Sequence, residues 1–377
     1  MTRSLAWVVS ILFVASPALA IESGKVLFDA TKAQMAGNAD WVIDADTFNI
    51  GTGTGGKMTA GSGSDANPQR LPTPAQTGIT ASTSETYWKG AISAWGVALV
   101  KRGFSVETLP VGGRITYGDS TNPQDLSNYG IYIIPEPNIV FTTAEKQAII
   151  RFVQDGGGLF MGGNHSGSDR NNDGLDPVEV FNDFATNNGL ASNPFGILWN
   201  TGTSYSVTTS TVSTAADDPL IRGAAGTVAQ MQYNAGSTMT VSGAARGVIW
   251  RTTSRSKSDV MFAASTYGAG RIVACGDSSP FDDGTGDTGD TLYNGWSAEV
   301  NGDHGELAIN ACLWLNPAPT NACPSDIDGS GMVDSSDISL MLLDFGPCAG
   351  CSTDLDGDDR VSSADVALLL LDFGPCP

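Results

Sequence analysis

Residues 129–165 read YGIYIIPEPNIVFTTAEKQAIIRFVQDGGGLFMGGNH, and this stretch decides the fold. Tyr129 to Pro135 is a continuous apolar run of strand length, the pattern of a strand buried on both faces. Thr142, Thr143 and Glu145 open a helix, and Ile149, Ile150 and Val153 carry its apolar face as far as Gly156. Gly158 to Met161 is the next strand. Strand, helix and strand in this order predict a right-handed crossover and a parallel sheet covered on both faces. Ligands of such sheets sit beyond the carboxyl ends of the strands.

Working outward, Lys25 to Asp29 (KVLFD) reads as a short strand ending in an acid, and Tyr87 to Arg102 as a helix stopped by Gly103. Phe104 to Leu109 reads as a further strand, and Leu307 to Leu315 as a helix. Ala36 to Asp46, with Trp41 and Val42 among polar residues, is too short to classify. Residues 51–84 are rich in Gly, Ser, Thr and Pro and read as a long surface loop. The GTGTGG within it lacks the Lys-Ser/Thr of a phosphate loop. Residues 195–265, rich in Thr, Ser and Val, predict added strands and long connections, with Asp218 to Gly223 as a turn entering a strand.

At the start of the chain, Arg3, an apolar run from Leu5 to Ala15 and Ala18-Leu19-Ala20 have the pattern of a secretory signal peptide over residues 1–20. The run is too short to span a membrane, so an exported protein is expected, extracellular or at the cell surface. Net charge is −21, and residues 323–377 contribute 11 Asp against the single Arg360. Such a surface repels nucleic acid and anionic lipid and attracts cations.

The last 55 residues are one unit written twice with an offset of 28. In the first copy Asp326, Asp328, Ser330, Met332, Asp334 and Asp337 stand at positions 1, 3, 5, 7, 9 and 12 of a loop, and in the second Asp354, Asp356, Asp358, Arg360, Ser362 and Asp365. Position 7 offers its backbone carbonyl, and the other positions offer side-chain oxygens. That is the spacing of an EF-hand-type calcium loop, and an all-oxygen donor set favours Ca2+ over zinc. Asp359 stands where the sharp turn has Gly331 in the first copy, so the second site is expected to be the weaker.

Position 12 is Asp rather than Glu, no full helix precedes either loop, and a short apolar run follows each (Ile338 to Phe345, Val366 to Phe373). On these residues the segment resembles a type I dockerin. The resemblance implies a tandem calcium module that docks a secreted protein to a cohesin-like partner or cell-surface scaffold. Asn316 to Ala322 (NPAPTNA) has the composition of a linker. The expected organisation is therefore signal peptide 1–20, α/β domain 21–316, linker 317–322 and calcium module 323–377.

Six cysteines in an exported chain can pair. Cys323 with Cys348 and Cys351 with Cys376 have identical separation and would each staple one loop to its helix, while Cys348 with Cys351 is the alternative. Cys275 and Cys312 are open between buried thiols and a third bridge.

The segments IYIIPEPN, FTTAEKQAIIRFVQDGGGLFMGGNH and GAGRIVACGDSSPFDD resemble the class I glutamine amidotransferase-like superfamily. The resemblance spans roughly residues 21–316 and implies a flavodoxin-like α/β fold. No Gly-x-Cys-x-Gly occurs, so glutaminase chemistry is not carried over. His165, directly after a strand, Asp277, at the end of another, and His304, before the last helix, are the candidates for general-base or metal-ligand roles. Asp169-Arg170-Asn171-Asn172-Asp173-Gly174 matches half a calcium loop or an Asx-rich turn; Phe281 to Asp290, with Asp282, Asp283, Asp287 and Asp290 among glycines, is open between the same metal reading and a solvated loop, the latter favoured.

Three functions are compatible with these residues. The first is a docked, non-catalytic or carbohydrate-binding cargo, and the alternative is a docked hydrolase of polysaccharides or their substituents. In the third, the repeats stabilise the chain in cis. No Gly-x-Ser-x-Gly elbow or glycosidase-like carboxylate pair supports the hydrolase.

Overall fold

The computed structural model describes residues 21–376 except 22–23, 38, 45–50, 53–57, 60–73, 89, 287–292, 297–301, 317–322, 329, 331, 349–350, 352, 357 and 359. The expected leader, the linker, Gly331, Asp359 and most of the 51–84 loop fall outside them. The chain divides into two compact units between residues 317 and 318.

In the first unit the described strands of the main sheet are β1 (Lys25–Asp29), β2 (Ser105–Leu109), β3 (Ile131–Pro135), β4 (Gly158–Gly162) and β5 (Ile197–Trp199). A separate antiparallel pair, β6 (Tyr205–Thr209) and β7 (Met231–Gly236), intervenes. The main sheet then continues with β8 (Met239–Val241), β9 (Arg246–Trp250), β10 (Val260–Tyr267) and β11 (Gly270–Cys275). Its order is β2-β1-β3-β4-β11-β10-β8-β5, with β9 also pairing β10. The first five run parallel, and the rest add on antiparallel. The parallel part has the doubly wound order of flavodoxin-like sheets, so the α/β expectation holds.

Alternation along the strands divides the core. Phe28, Ile133, Phe160 and Val273 face one side, where α1 (Ser93–Val100) and α4 (His304–Leu315) pack. Leu27, Tyr132, Ile134 and Met161 face the other, against α2 (Thr143–Gln154) and α3 (Pro177–Thr186). A β-strand side-chain period of two makes this division automatic. The start of α2 is fixed by a capping box: Glu145 N–H donates to Thr142 Oγ1 at 3.3 Å, and Thr142 N–H to Glu145 Oε2 at 2.7 Å.

One expected helix is shorter than its periodicity suggests. Over 87–102 only Ser93–Val100 is α-helical, because Ala91 N–H is tied to Asp40 O at 2.8 Å and Ile92 N–H to Val42 O at 3.2 Å. A Cβ on Gly90 would stand 2.2 Å from Val42 O, so glycine lets the two segments meet.

The second unit has near two-fold internal symmetry. Its elements are β12 (Met332–Val333), α5 (Ser335–Leu343), β13 (Gly346–Pro347), β14 (Arg360–Val361), α6 (Ser363–Leu371) and β15 (Gly374–Pro375). β12 pairs β15, and β13 pairs β14, both antiparallel. Each strand leaving a loop therefore pairs with the Gly-Pro that follows the other copy's helix. Ser325 to Asp372 at 2.5 Å and Thr353 to Asp344 at 2.9 Å repeat the exchange in side chains.

The cysteines obey the same exchange, and this corrects the expected pairing within each copy. The bonds are Cys323–Cys376 and Cys348–Cys351, with Cα separations of 5.6 and 5.7 Å. Each cysteine before a loop joins the one after the other copy's helix, since that is where the strand pairing brings it. Cys275 and Cys312 are free and buried.

Candidate functional site

Two places carry clustered chemistry, and each lies within its own unit. In the second unit, carboxylate oxygens of Asp326, Asp328 and Asp337 lie within 4.8 Å of one another, as do those of Asp354, Asp356 and Asp365. These are positions 1, 3 and 12 of the two loops, and both groups can hold a metal ion. Backbone donors pre-form them: Ser330 N–H reaches Asp326 and Asp328, each at 3.0 Å, and Asp358 N–H reaches Asp354 at 3.1 Å and Asp356 at 3.2 Å. Asp337 and Asp365 are fully buried and complete the capping boxes of α5 and α6.

Burial opposes ionisation of Asp337, but the N–H groups of Asp334, Asp328 and Ile327 outweigh it and hold the carboxyl below its ordinary value. Asp356 shows the opposite strain. Desolvation and the charges of Asp358, Asp365 and Asp354 raise its carboxyl above its ordinary value. Like charges this close are relieved by a bound cation. Of the other expected ligands, Ser330 donates its hydroxyl to Met332 O at 3.1 Å and accepts from Met332 N–H at 3.4 Å, which leaves one oxygen lone pair available. Asp334 and Ser362 are the caps of α5 and α6, accepting from Ser336 N–H at 2.7 Å and Ala364 N–H at 3.0 Å. Arg360, like Met332, lies in a short paired strand. A third group, Asp344 with Cys348 and Cys351, has no thiolate to offer because its cysteines are bonded to each other.

In the first unit the carboxyl ends of β3, β4 and β11 meet around Glu136. Its one signal in the chain is an acid between two prolines directly after a continuous apolar strand. Glu136 has φ +38°, a backbone conformation that non-glycine residues adopt only when surroundings fix it. Here they do: its N–H donates to Gly162 O at 2.7 Å, Arg170 Nε to its Oε1 at 2.9 Å, and Ser278 Oγ to its Oε2 at 2.8 Å. One fully buried carboxylate thus ties together the loops after all three strands. Gly163 permits the crowding, since a Cβ there would stand 2.5 Å from Trp199 Nε1.

A cleft of about 330 Å³ opens beside this hub, and His165 and Asp277 both line it. His165 Nδ1 lies 2.8 Å from Ser166 O. A carbonyl only accepts, so the proton is on Nδ1 and Nε2 is the basic nitrogen. Asp277 accepts from Asn234 N–H at 2.8 Å, Ala235 N–H at 3.1 Å and Ser279 N–H at 3.0 Å, yet burial still pushes its carboxyl up to about 6. Asp282, another lining residue, accepts from Tyr293 N–H at 2.6 Å and Gly284 N–H at 2.8 Å. Burial, reinforced by the Asp283 and Glu136 charges, takes it to about 8.

His304 does not line this cleft. It is buried at the start of α4, where Nε2 accepts from Gln232 N–H at 2.9 Å and Nδ1 donates to Gly295 O at 2.8 Å, so both nitrogens hold loops together. The stretch 169–174 is an Asx turn, with Asp169 accepting from Asp173 N–H at 3.2 Å and Gly174 N–H at 2.8 Å. Asp282 and Asp283 are 1% and 5% exposed and not in a solvated loop, because distant N–H groups, including that of Ala94, have claimed them. Cys275 is inert as a nucleophile, since burial pushes its thiol far up.

No protein-family model and no curated protein matches the chain. Among solved structures it is similar to "mmIFT52 N-terminal domain" (15% identity, TM-score 0.41, covering 63% of this chain and 96% of that one). It is also similar to the cytoplasmic protein STM3548 from Salmonella typhimurium (12%, TM-score 0.41, covering 60% and 87%). A third is a beta-galactosidase from Rahnella sp. R3 (13%, TM-score 0.34, covering 63% and 29%). At these scores the likenesses carry no functional argument.

Proposed function

We propose that this is an exported protein whose residues 323–377 form a calcium-organised docking module of the dockerin kind. The module carries the α/β unit as cargo to a cohesin-type partner or a cell surface. Asp326, Asp328, Ser330, Asp334 and Asp337, with the Met332 carbonyl, would hold one Ca2+. Asp354, Asp356, Asp358, Ser362 and Asp365, with the Arg360 carbonyl, would hold the other. The ion's part is to neutralise each cage and lock the start of the helix behind it.

One observation carries the docking reading. Leu342, Leu343 and Phe345 are 53%, 81% and 53% exposed, and their repeat mates Leu370, Leu371 and Phe373 are 51%, 81% and 54% exposed. Apolar side chains held out on a module stapled by two bridges suit a partner surface. Calorimetric titration of the full chain is expected to show two calcium sites, and deletion of 323–377 to abolish retention at the surface of the producing cell. Heatless titration removes the metal part. Unchanged retention, or unchanged retention of a Leu343→Asp/Leu371→Asp double variant, removes the docking part.

A further inference from the structure

The cleft beside Glu136 is unusual in the balance of its polar groups. Its only guanidinium, Arg170, is answered by Glu136 at 2.9 Å, so the lining presents no uncompensated positive charge to an anion. Asp277 is already occupied by three backbone N–H groups, and the neighbouring Asp282 is kept protonated near neutrality by its burial. Neither offers a cation the exposed ionised oxygens it needs. What the cleft leaves open is uncharged.

Three of those groups lack protein partners among the described residues. Trp41 Nε1–H is buried without an acceptor, although the residue borders the cleft. Asn164 is 4% exposed; its Oδ1 is taken by His165 N–H at 2.8 Å, and its Nδ2 is left over. His165 Nε2 is a lone-pair acceptor with nothing to accept from. Of the three, only the Trp41 indole N–H is a fully buried atom without a partner, and such a group costs about 1–3 kcal/mol; with Asn164 and His165 also lining the cleft, the set suits an occupant that has both donors and acceptors. An indole beside them adds an apolar face.

We propose that this cleft is a binding site for a neutral, hydroxyl-rich small molecule of the size of one or two sugar rings. Trp41 and Asn164 donate to its oxygens, and His165 Nε2 accepts from one of its hydroxyls. The cleft's volume of about 330 Å³ lies at the lower end of the range for small-molecule sites, roughly 300–1,000 Å³. Glu136 is a positioning residue: it does not reach the ligand but fixes Arg170 and Ser278, and with them the loops that carry Asn164, His165 and Asp277.

The inference adds a carbohydrate ligand to the cargo unit and does not depend on the calcium module, so the test separates the two. The full chain is titrated with D-glucose, D-galactose, D-xylose and cellobiose, and with D-glucuronate and D-glucosamine as charged counterparts, following tryptophan fluorescence and melting temperature, with and without EDTA. At least one neutral sugar is expected to saturate both signals, to bind more tightly than either charged counterpart, and to do so equally after chelation. Asn164→Ala, His165→Ala and Trp41→Phe are each expected to weaken that binding about tenfold, as loss of a hydrogen bond to a buried polar group does. Trp41→Phe keeps the ring and so guards against a folding artefact. Tightest binding of glucuronate or glucosamine, wild-type affinity in Asn164→Ala and Trp41→Phe together, or no response to any neutral sugar would overturn the proposal. Loss of binding on chelation would overturn it as well.

Discussion

Phe160 and Leu343 show how differently the two units are held. Phe160 is 1% exposed and packs against the rings of Trp95, Phe281 and Phe262 at centroid distances of 4.8, 5.4 and 6.1 Å. Leu343 is 81% exposed, and the buried apolar set of its unit is Cys323, Val333, Met341, Val361 and Leu369. The first unit is stabilised by burial on two sides of a sheet. The second is too small for that and relies on its two bridges, beside acidic groups that can hold a metal ion. Identical residue types, leucine and phenylalanine, thus serve as core in one unit and as exposed surface in the other.

The contrast is sharpest when both supports of the small unit are removed. Reduction combined with chelation is expected to abolish hydrogen-exchange protection throughout 332–375 while β3 and β4 keep theirs; equal loss in both units would break the comparison. Phe160→Ala is expected to cost the large unit about 3–5 kcal/mol in denaturant unfolding, with the calcium affinity of the small unit unchanged.

A subtler test uses Asp282, whose folded pKa of about 8 lies above its unfolded value. The folded state therefore holds an extra proton between those two values, and stability falls as pH rises through that window, by up to about 1.4 kcal/mol per unit. Asp282→Asn should flatten that fall in pH-dependent melting. The smallest effect is expected at Asp218, where burial is outweighed by the Arg246 fork and Ser213, so its pKa is lowered. Its contribution is present above the unfolded pKa and is lost as pH falls through the folded one. Arg246 is 43% exposed, so Arg246→Met should cost no more than about 1 kcal/mol at pH 7, and progressively less as pH falls through the lowered folded pKa of Asp218.

Much of this was legible in the chain because it is local. The apolar run before Pro135, the Thr142/Glu145 box and the twelve-residue carboxylate spacing are each written within one segment, and the folded elements follow them. What escaped is set by partners distant in sequence. The acidic run at Asp282 and Asp283 reads as solvated until Tyr293 and Ala94 N–H groups are seen to claim its oxygens. The rim cleft was half legible: His165 and Asp277 stand at strand ends, with Asn164 beside His165, whereas Trp41 and Arg170 reach it through tertiary packing. His304 looked like chemistry because histidine is rare here, and it proves to be a brace. The Cys348–Cys351 bond was open as the alternative, whereas Cys323–Cys376 depends on which copy's strand returns to which loop, and spacing cannot reveal that.

The Cys323–Cys376 bond joins residues 53 positions apart, and it turns nearly the whole small unit into a covalent ring. A single protease cut anywhere inside that ring leaves both fragments attached to the rest of the chain. Pull arriving from the preceding chain is shared at once between the ring's two ends and need not unravel the first loop before it reaches the second. The ring therefore delays both cutting and peeling.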